Sequence, residues 1–160
     1  MSDALSEAAP RIRPATPEDR DALVGFARAM ARETEDRELD LDTLRAGVTA
    51  LLADPARGRT FVVESAGEPV ATLMLTYEWS DWRNGFFWWI QSVYVAPQHR
   101  RRGLYRRLHE HVRRLAAETP GVCGLRLYVE RDNRAAQTTY LAMGMAETHY
   151  RLFEETVGPA

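Results

Sequence analysis

Apolar and polar residues follow two periods along the chain, which predict helices and strands. In residues 23–30 and 103–118, apolar side chains recur every three or four positions, a spacing typical of helices with one buried face. Residues 60–64, 70–77 and 86–95 are rich in β-branched and aromatic side chains and therefore predict strands.

Capping and turn residues predict the remaining boundaries. Thr16 and Pro17 are typical of a helix start, and a second helix is expected from about Asp42 to Ala53. A short strand is expected at residues 11–13. Near the other end, the pattern predicts a strand over 124–130, a helix from Asn133 to Gly144 and a closing strand over 145–153.

The predicted order, β-α-α-β-β-β-α-β-α-β, indicates an α+β fold in which helices flank a mixed central sheet. We expect one domain over residues 11–153, between a loose tail at 1–10 and a polar tail at 154–160. The most strongly apolar run, residues 86–90, is too short to span a bilayer, so no membrane partner is expected. The chain has one cysteine, Cys123, and we expect it to work in the cytoplasm.

Charge composition excludes some chemistry. All 21 basic residues are arginine, so a lysine Schiff base and a Walker-type phosphate loop are excluded. Arginine forks do suit phosphate, although a biased genome composition explains the missing lysine equally well. The four histidines, at positions 99, 109, 111 and 149, do not have a metal-ligand spacing, and we expect no metal.

A basic loop joins the strand at 86–95 to the helix at 103–118. It contains Arg100, Arg101 and Arg102 and ends at Gly103. A helix start presents unpaired backbone N–H groups, and glycine lets an anion approach them closely. The loop therefore predicts a phosphate or pyrophosphate site, with a solvated basic turn as the alternative.

This loop resembles the cofactor loop of the GNAT superfamily of acyl-CoA-dependent N-acetyltransferases. The family pattern is Arg/Gln-x-x-Gly-x-Gly/Ala after Val-x-Pro, and Arg100 and Gly103 match it after Val95-Ala96-Pro97. Two positions differ. Arg101 stands where the family commonly has glycine, and Tyr105, where it has a small residue, is expected to crowd the far side of the loop.

A second pattern of the same family is Asn-x-x-Ala-x-x-x-Tyr after a strand, followed by Gly-Phe or a similar pair. It is matched by Asn133, Ala136, Tyr140, Gly144 and Met145. Because two separate motifs occur in the right order, the resemblance is much more specific than either motif alone. It extends over residues 11–153.

The resemblance implies a pair of splayed strands that holds acyl-CoA, with acetyl-CoA as the expected cosubstrate. Val93, Tyr94 and Val95 would line the pantetheine arm, and the backbone of the basic loop would bind the pyrophosphate. The complete set of implied cofactor-binding residues is Val93, Tyr94, Val95, Arg100, Arg101, Arg102, Gly103, Leu104, Tyr105, Asn133, Ala136 and Tyr140.

The implied reaction is transfer of an acetyl group to a primary amine of a small molecule or peptide, by direct attack in a ternary complex. Tyr140 would protonate the leaving thiolate, and the backbone N–H at Val93 would hold the oxyanion. Some family members have a glutamate where this chain has Gln91, so the base is open. The candidates are Glu33, Glu35 and Glu78, with solvated surface acids as the alternative.

All four tryptophans lie between positions 79 and 89. Trp79 and Trp82 are candidates for an acceptor pocket, together with Glu33 and Gln91, or for a contact between two copies in a homodimer.

Two other functions stay open at this point. The first is a catalytically silent acyl-CoA sensor, which the glutamine at position 91 would permit. The second is nucleic-acid binding through an arginine stripe over residues 100–114. The net charge of −2 and the lack of a recognisable nucleic-acid motif argue against the second function.

Overall fold

The computed structural model describes residues 9–158, so residues 1–8 of the predicted N-terminal tail and the last two residues of the C-terminal tail lie outside the described part. The chain divides into two compact units, one ending at Tyr128 and the other beginning at Val129. In the described part of the chain, no helix is long and apolar enough to cross a membrane.

The first unit contains a sheet and three helices, named here in chain order. They are β1 (Arg11–Pro14), α1 (Arg20–Glu35), α2 (Leu41–Ala53), β2 (Arg59–Ser65), β3 (Glu68–Ser80), β4 (Gly85–Val95), α3 (Leu104–Glu118) and β5 (Val122–Arg126). The strands lie side by side in sequence order, antiparallel from β1 to β4, and β4 is parallel to β5. The second unit contains α4 (Arg134–Ala142).

Aspartate side chains form hydrogen bonds with the backbone where the 3-10 turn before α1 and helix α2 begin. A short 3-10 turn at Pro17–Asp19 precedes α1, and the carboxylate of Asp19 accepts a hydrogen bond from the backbone N–H of Thr16. Asp19 is buried and is held by both Nη atoms of Arg13 at 2.7 and 2.9 Å. At α2, the side chain of Asp40 accepts a hydrogen bond from the N–H of Thr43.

Helix α3 covers one face of the sheet and forms the main core with it. Its buried stripe consists of Leu104, Leu108, Val112 and Ala116, at the spacing of one helix face. These side chains belong to the same cluster as apolar residues of β2, β3 and β4, namely Phe61, Val63, Val70, Ala71, Leu73, Leu75, Trp88 and Ile90. Because side chains alternate across a strand, the residues between these apolar positions point to the opposite face, where α1 and α2 contact the sheet.

The predicted mixed sheet with flanking helices is confirmed. The closing strand predicted over residues 145–153 is wrong, because no strand is present there. This segment has no buried face against which a strand would pack: Leu152 is 70% exposed and Phe153 is 90% exposed. The strand predicted over 124–130 also ends early, at Arg126.

Candidate functional site

Strands β4 and β5 are paired over only part of their length. The parallel pairing runs from Phe86 with Val122 to Trp89 with Arg126, where β5 ends. β4 continues to Val95, and no strand of the described residues pairs with this side of it after Trp89. The backbone groups of residues 90–95 on that edge thus have no partner strand within the described chain, and an edge of this kind is one to which an extended ligand can add as a further strand.

A β-bulge lies in β4 just after the two strands separate. On β3, Leu73 is opposite Val93 and Leu75 is opposite Ile90, so Gln91 and Ser92 share one partner position. Bulges redirect side chains and are common next to active sites. The Gln91 amide donates a hydrogen bond to the Thr76 hydroxyl at 2.9 Å, which fixes its orientation across the bulge.

The basic loop after β4 ends at an uncapped helix start. Gly103 is the N-cap of α3 and has φ +72°, and no side chain caps the helix. A Cβ atom at this position would meet nothing within 4 Å, so open space adjoins the first N–H groups of the helix. An anion in that space would face unpaired N–H groups and the positive end of the helix dipole.

Arg101 has a left-handed backbone, with φ +60°. Residues with a Cβ atom adopt this conformation at a cost, whereas glycine adopts it freely. The conformation gives a physical reason for the glycine common at this position in the family. In this chain an arginine adopts it.

Glu33 is held at the end of α1 by two partners from the β4 side. Its carboxylate accepts hydrogen bonds from the Tyr94 hydroxyl and from Arg100, both at 2.7 Å. These hydrogen bonds lower the pKa of Glu33, and burial raises the pKa of Tyr94. Arg100 also donates from Nε to the carbonyl of Val95 at 2.9 Å. Glu33 therefore ties the basic loop to α1 and is a weak proton acceptor.

Glu78 lies near the point where β4 and β5 separate. Both of its carboxylate oxygens are within 2.9 Å of one Arg126 nitrogen, and Trp89 donates to it at 3.4 Å. Arg126 and Trp89 form the last β4–β5 pair. The structure thus does not bring Glu33 and Glu78, two of the three candidate bases, together: Glu33 contacts the end of β4, and Glu78 contacts its middle. Glu35 is exposed at the last position of α1.

A cavity of about 530 Å³ lies between the α1–α2 pair and the sheet. Its described lining residues are Leu23, Phe26, Ala27, Met30, Thr43, Leu44, Gly47, Val48, Ala50, Leu51, Arg57, Thr60, Thr72, Met74, Thr76, Ser92 and Tyr94. None of the sequence-based predictions included this cavity. The feature that could have indicated it is the series of small hydroxyl side chains at alternate strand positions, which leave space where bulky residues would fill the sheet face.

The two tryptophans expected at an acceptor pocket do not line this cavity. They lie at the β3–β4 hairpin, where Trp79 is 54% exposed and Trp82 is 87% exposed. The Trp79 ring packs edge-on against Phe86, with ring centroids 4.9 Å apart. The acceptor-pocket role of these two side chains stays a prediction.

Three residues of the second family pattern lie on or before α4, in the second unit. The Asn133 side chain accepts a hydrogen bond from the backbone N–H of Ala136 and so caps α4, and Tyr140 is half-buried on that helix. Their predicted contacts with the cofactor stay predictions.

In the first unit, the Tyr105 ring packs edge-on against His109, one turn further along α3, with ring centroids 6.1 Å apart. Arg102 lies just before the N-cap Gly103, and the buried Leu104 is the first residue of α3. The cofactor contacts expected of these residues likewise stay predictions.

Comparisons with known proteins agree with this arrangement. The family model described as the acetyltransferase (GNAT) family matches residues 25–145. A crystal structure of "a possible acetyltransferase" from Clostridium difficile 630 is 42% identical, has a TM-score of 0.89, and the match covers 94% of this chain and 99% of that one. No curated protein matches the chain.

The aminoglycoside N-acetyltransferase AAC(6')-Iy has the same fold at low identity. Its structure in complex with CoA is 16% identical with a TM-score of 0.75, and the match covers 92% of this chain and 94% of that one. A second structure of it holds a bisubstrate analogue, CoA-S-monomethyl-acetylneamine, with a TM-score of 0.75 over 93% of this chain and 99% of that one, again at 16% identity. The match of the family model over most of the chain shows that the protein belongs to the GNAT family of acetyltransferases.

Proposed function

We propose that this protein is an N-acetyltransferase that moves the acetyl group of acetyl-CoA to a primary amine of a small molecule or peptide. One observation carries the proposal: β4 leaves β5 after Trp89 and then runs directly into the basic loop and the open start of α3. A free strand edge followed by an anion-binding helix start suits a long ligand with a pyrophosphate group.

The residues of the first unit fit acetyl-CoA. The backbone of residues 93–95 would hold the pantetheine arm, and the N–H groups from Gly103 onward would bind the pyrophosphate beside Arg100 and Arg102. When bound, acetyl-CoA supplies an acetyl thioester, whose C–S bond breaks as the amide C–N bond forms, and the CoA thiol gains one proton for the one that the amine loses.

Three residues handle charge and protons in this proposal. The N–H of Val93 stabilises the negative charge on the acetyl oxygen, and the Tyr140 phenol donates a proton to the departing sulfur. Glu78 is the better placed of the two candidate bases, because it adjoins Arg126 and Trp89 where the strands separate. Glu33 instead anchors Arg100, and its hydrogen bonds to Tyr94 and Arg100 lower its pKa, which disfavours its protonation.

We further propose that the enzyme works in the cytoplasm as a homodimer. The free and exposed Cys123 supports a reducing compartment, and the exposed indole of Trp82 supports a contact between copies.

The cofactor site is tested by thermal unfolding with acetyl-CoA, CoA or ATP. A ligand at one hundred times its Kd stabilises the folded state by about 2.7 kcal/mol. We expect a shift with acetyl-CoA and CoA and little with ATP. Gly103→Ala should reduce the shift, because its Cβ occupies the open space at the helix start. Gly121→Ala is the matched control, since Gly121 also has positive φ and open surroundings. Equal shifts in both variants would contradict the site.

Catalysis is tested by release of free CoA thiol with a panel of primary amines. Tyr140→Phe should bind acetyl-CoA and lose most of the thiol release. Tyr150→Phe is the control, because Tyr150 is 67% exposed outside any regular element. Tight cofactor binding without thiol release on any amine would instead indicate the silent sensor. Salt-dependent binding of DNA or RNA that CoA does not oppose would indicate the nucleic-acid function.

A further inference from the structure

The cavity between the α1–α2 pair and the sheet reaches the same part of β4 as the free strand edge. Ser92, which shares the bulge, and Tyr94, which lies on the unpaired stretch of β4, both line it. Thr76, the partner of Gln91, lines it as well. A molecule in this cavity would therefore approach β4 from the α1–α2 face, while the edge of the strand stays free.

Three hydroxyls of the cavity wall are already hydrogen-bonded, whereas the buried Thr60 hydroxyl has no partner in the described part of the chain. Thr72 donates to the carbonyl of Phe61, Thr76 accepts from Gln91, and Tyr94 donates to Glu33. The rest of the wall is mainly aliphatic and aromatic. Its volume of about 530 Å³ is within the range of small-molecule sites, about 300–1,000 Å³.

Charge on the wall is the second observation. None of the described lining residues is aspartate or glutamate, and the single charged one, Arg57, is cationic. A second ammonium group on an acceptor would enter this cavity without a counter-charge and would lose its hydration there.

We propose that the acceptor is a primary amine attached to an apolar body, and that this body occupies the cavity between α1, α2 and the sheet. The inference rests on the proposed acetyltransferase function and names its substrate class. An acceptor of this class differs from the polycationic amines that carry several ammonium groups.

The same apolar surroundings help to prepare the amine. Burial disfavours the charged form of an amine and so lowers its pKa. A larger fraction of the bound acceptor is then neutral and able to attack the thioester carbonyl carbon. The proton that the amine nitrogen loses passes to water or to Glu78. Because more of the bound amine is already neutral, the reaction has less need of a strong base at position 91, where the side chain is a glutamine.

The test compares two amines with the same six-carbon chain, hexylamine and 1,6-diaminohexane, as acceptors for acetyl-CoA in the thiol-release assay. We expect kcat/KM to be at least tenfold higher for hexylamine. Val48→Asp places a carboxylate on the half-buried cavity side of α2 and should reduce or reverse this preference. Thr49→Asp adds the same charge at the next, exposed position and should leave the preference unchanged.

A binding measurement without the cofactor gives an independent readout. N-hexylacetamide, the amide product, should raise the unfolding midpoint of the wild-type protein and of Thr49→Asp, and should have less effect on Val48→Asp. Absence of a midpoint shift in the wild type would overturn the assignment of the apolar body to this cavity.

The remaining outcomes separate this inference from the proposed function. Thiol release that is equal or faster with 1,6-diaminohexane would overturn the apolar acceptor and leave the acetyltransferase intact. Faster transfer from octanoyl-CoA to ethylamine than from acetyl-CoA to hexylamine would overturn it too, by assigning the cavity to the acyl chain. No stabilisation by acetyl-CoA and no thiol release with any amine would overturn the proposed function itself, and the inference with it.

Discussion

Replacement of Arg101 by glycine should stabilise the protein. Arg101 has φ +60° in the basic loop, and its exposed side chain makes no hydrogen bond or ion pair within the described residues. A residue with a Cβ atom in the left-handed conformation costs about 1–2 kcal/mol, whereas glycine carries no such penalty. The change removes this cost and loses no contact that holds the fold together.

The gain is smaller than the full strain, because glycine is also more flexible in the unfolded chain. That flexibility costs about 0.5–1 kcal/mol on folding. The net expectation for Arg101→Gly is therefore a rise of about 0.5–1 kcal/mol in the free energy of unfolding. For a domain of this size, the rise corresponds to about 1–4 °C in Tm.

Urea unfolding and calorimetry of the wild type and three variants measure this effect. Arg101→Ala removes the same guanidinium but keeps the Cβ atom, so its stability should stay within a few tenths of a kcal/mol of the wild type. Arg102→Gly is a second control, because Arg102 is not among the residues with positive φ and should lose about 0.5–1 kcal/mol. If Arg101→Gly is no more stable than Arg101→Ala, the backbone explanation for the family's glycine is refuted.

Three further predictions follow from the core, the histidines and the exposed indole. Leu108→Ala should lower the free energy of unfolding by about 2–5 kcal/mol in urea with an unchanged m-value, because Leu108 is fully buried. Burial, followed by the charge of Arg113, lowers the pKa of His109 in the folded protein. The unfolded state therefore binds the proton first, and stability should be complete above pH 6.5 and fall as the pH drops below it. His109→Leu should reduce the difference in unfolding free energy between pH 7.5 and 5.5. A part due to His111 should remain, because burial also lowers the pKa of His111. An unchanged difference would contradict the assignment to His109. Trp82→Ser should weaken self-association in sedimentation velocity without changing the unfolding free energy, and an unaltered dimer would assign the contact to another surface.

Local sequence signals were sufficient to predict the order of most elements. The buried stripe of α3, from Leu104 to Ala116, has the period of a helix with one apolar face, and β4 is dense in aromatic and β-branched residues. Such patterns report which face of an element is buried. They do not report whether a neighbouring element is present to cover that face. Residues 145–153 are an example, because they were predicted as a strand but are mostly exposed and form none.

The separation of β4 from β5 has no local signature. Residues 127–130 continue the pattern of a strand, yet pairing with β4 stops at Arg126. The strands part just before the bulge at Gln91 and Ser92, and that bulge is defined by the pairing of β3 with β4. The motif around Gly103 predicted that an anion binds nearby, and the family resemblance implied splayed strands, but the residue at which β4 and β5 part is given only by the register of the strands.

Two of the differences between this chain and the family, at positions 101 and 91, differ in kind. The basic loop presents backbone groups, so the glycine at position 101 matters for the conformation it permits, and an arginine is tolerated as long as the rest of the fold enforces φ +60°. Gln91 replaces a side chain that would itself accept a proton, and no backbone conformation compensates for that. In the proposed reaction, the amine's proton would be removed without a base at position 91, either by Glu78 at the strand junction or with the help of a cavity that favours the neutral amine. If the cavity makes the larger contribution, Glu78→Gln should lower kcat/KM for hexylamine only a few-fold; a loss of a hundredfold or more with the cofactor still bound would assign the proton transfer to Glu78.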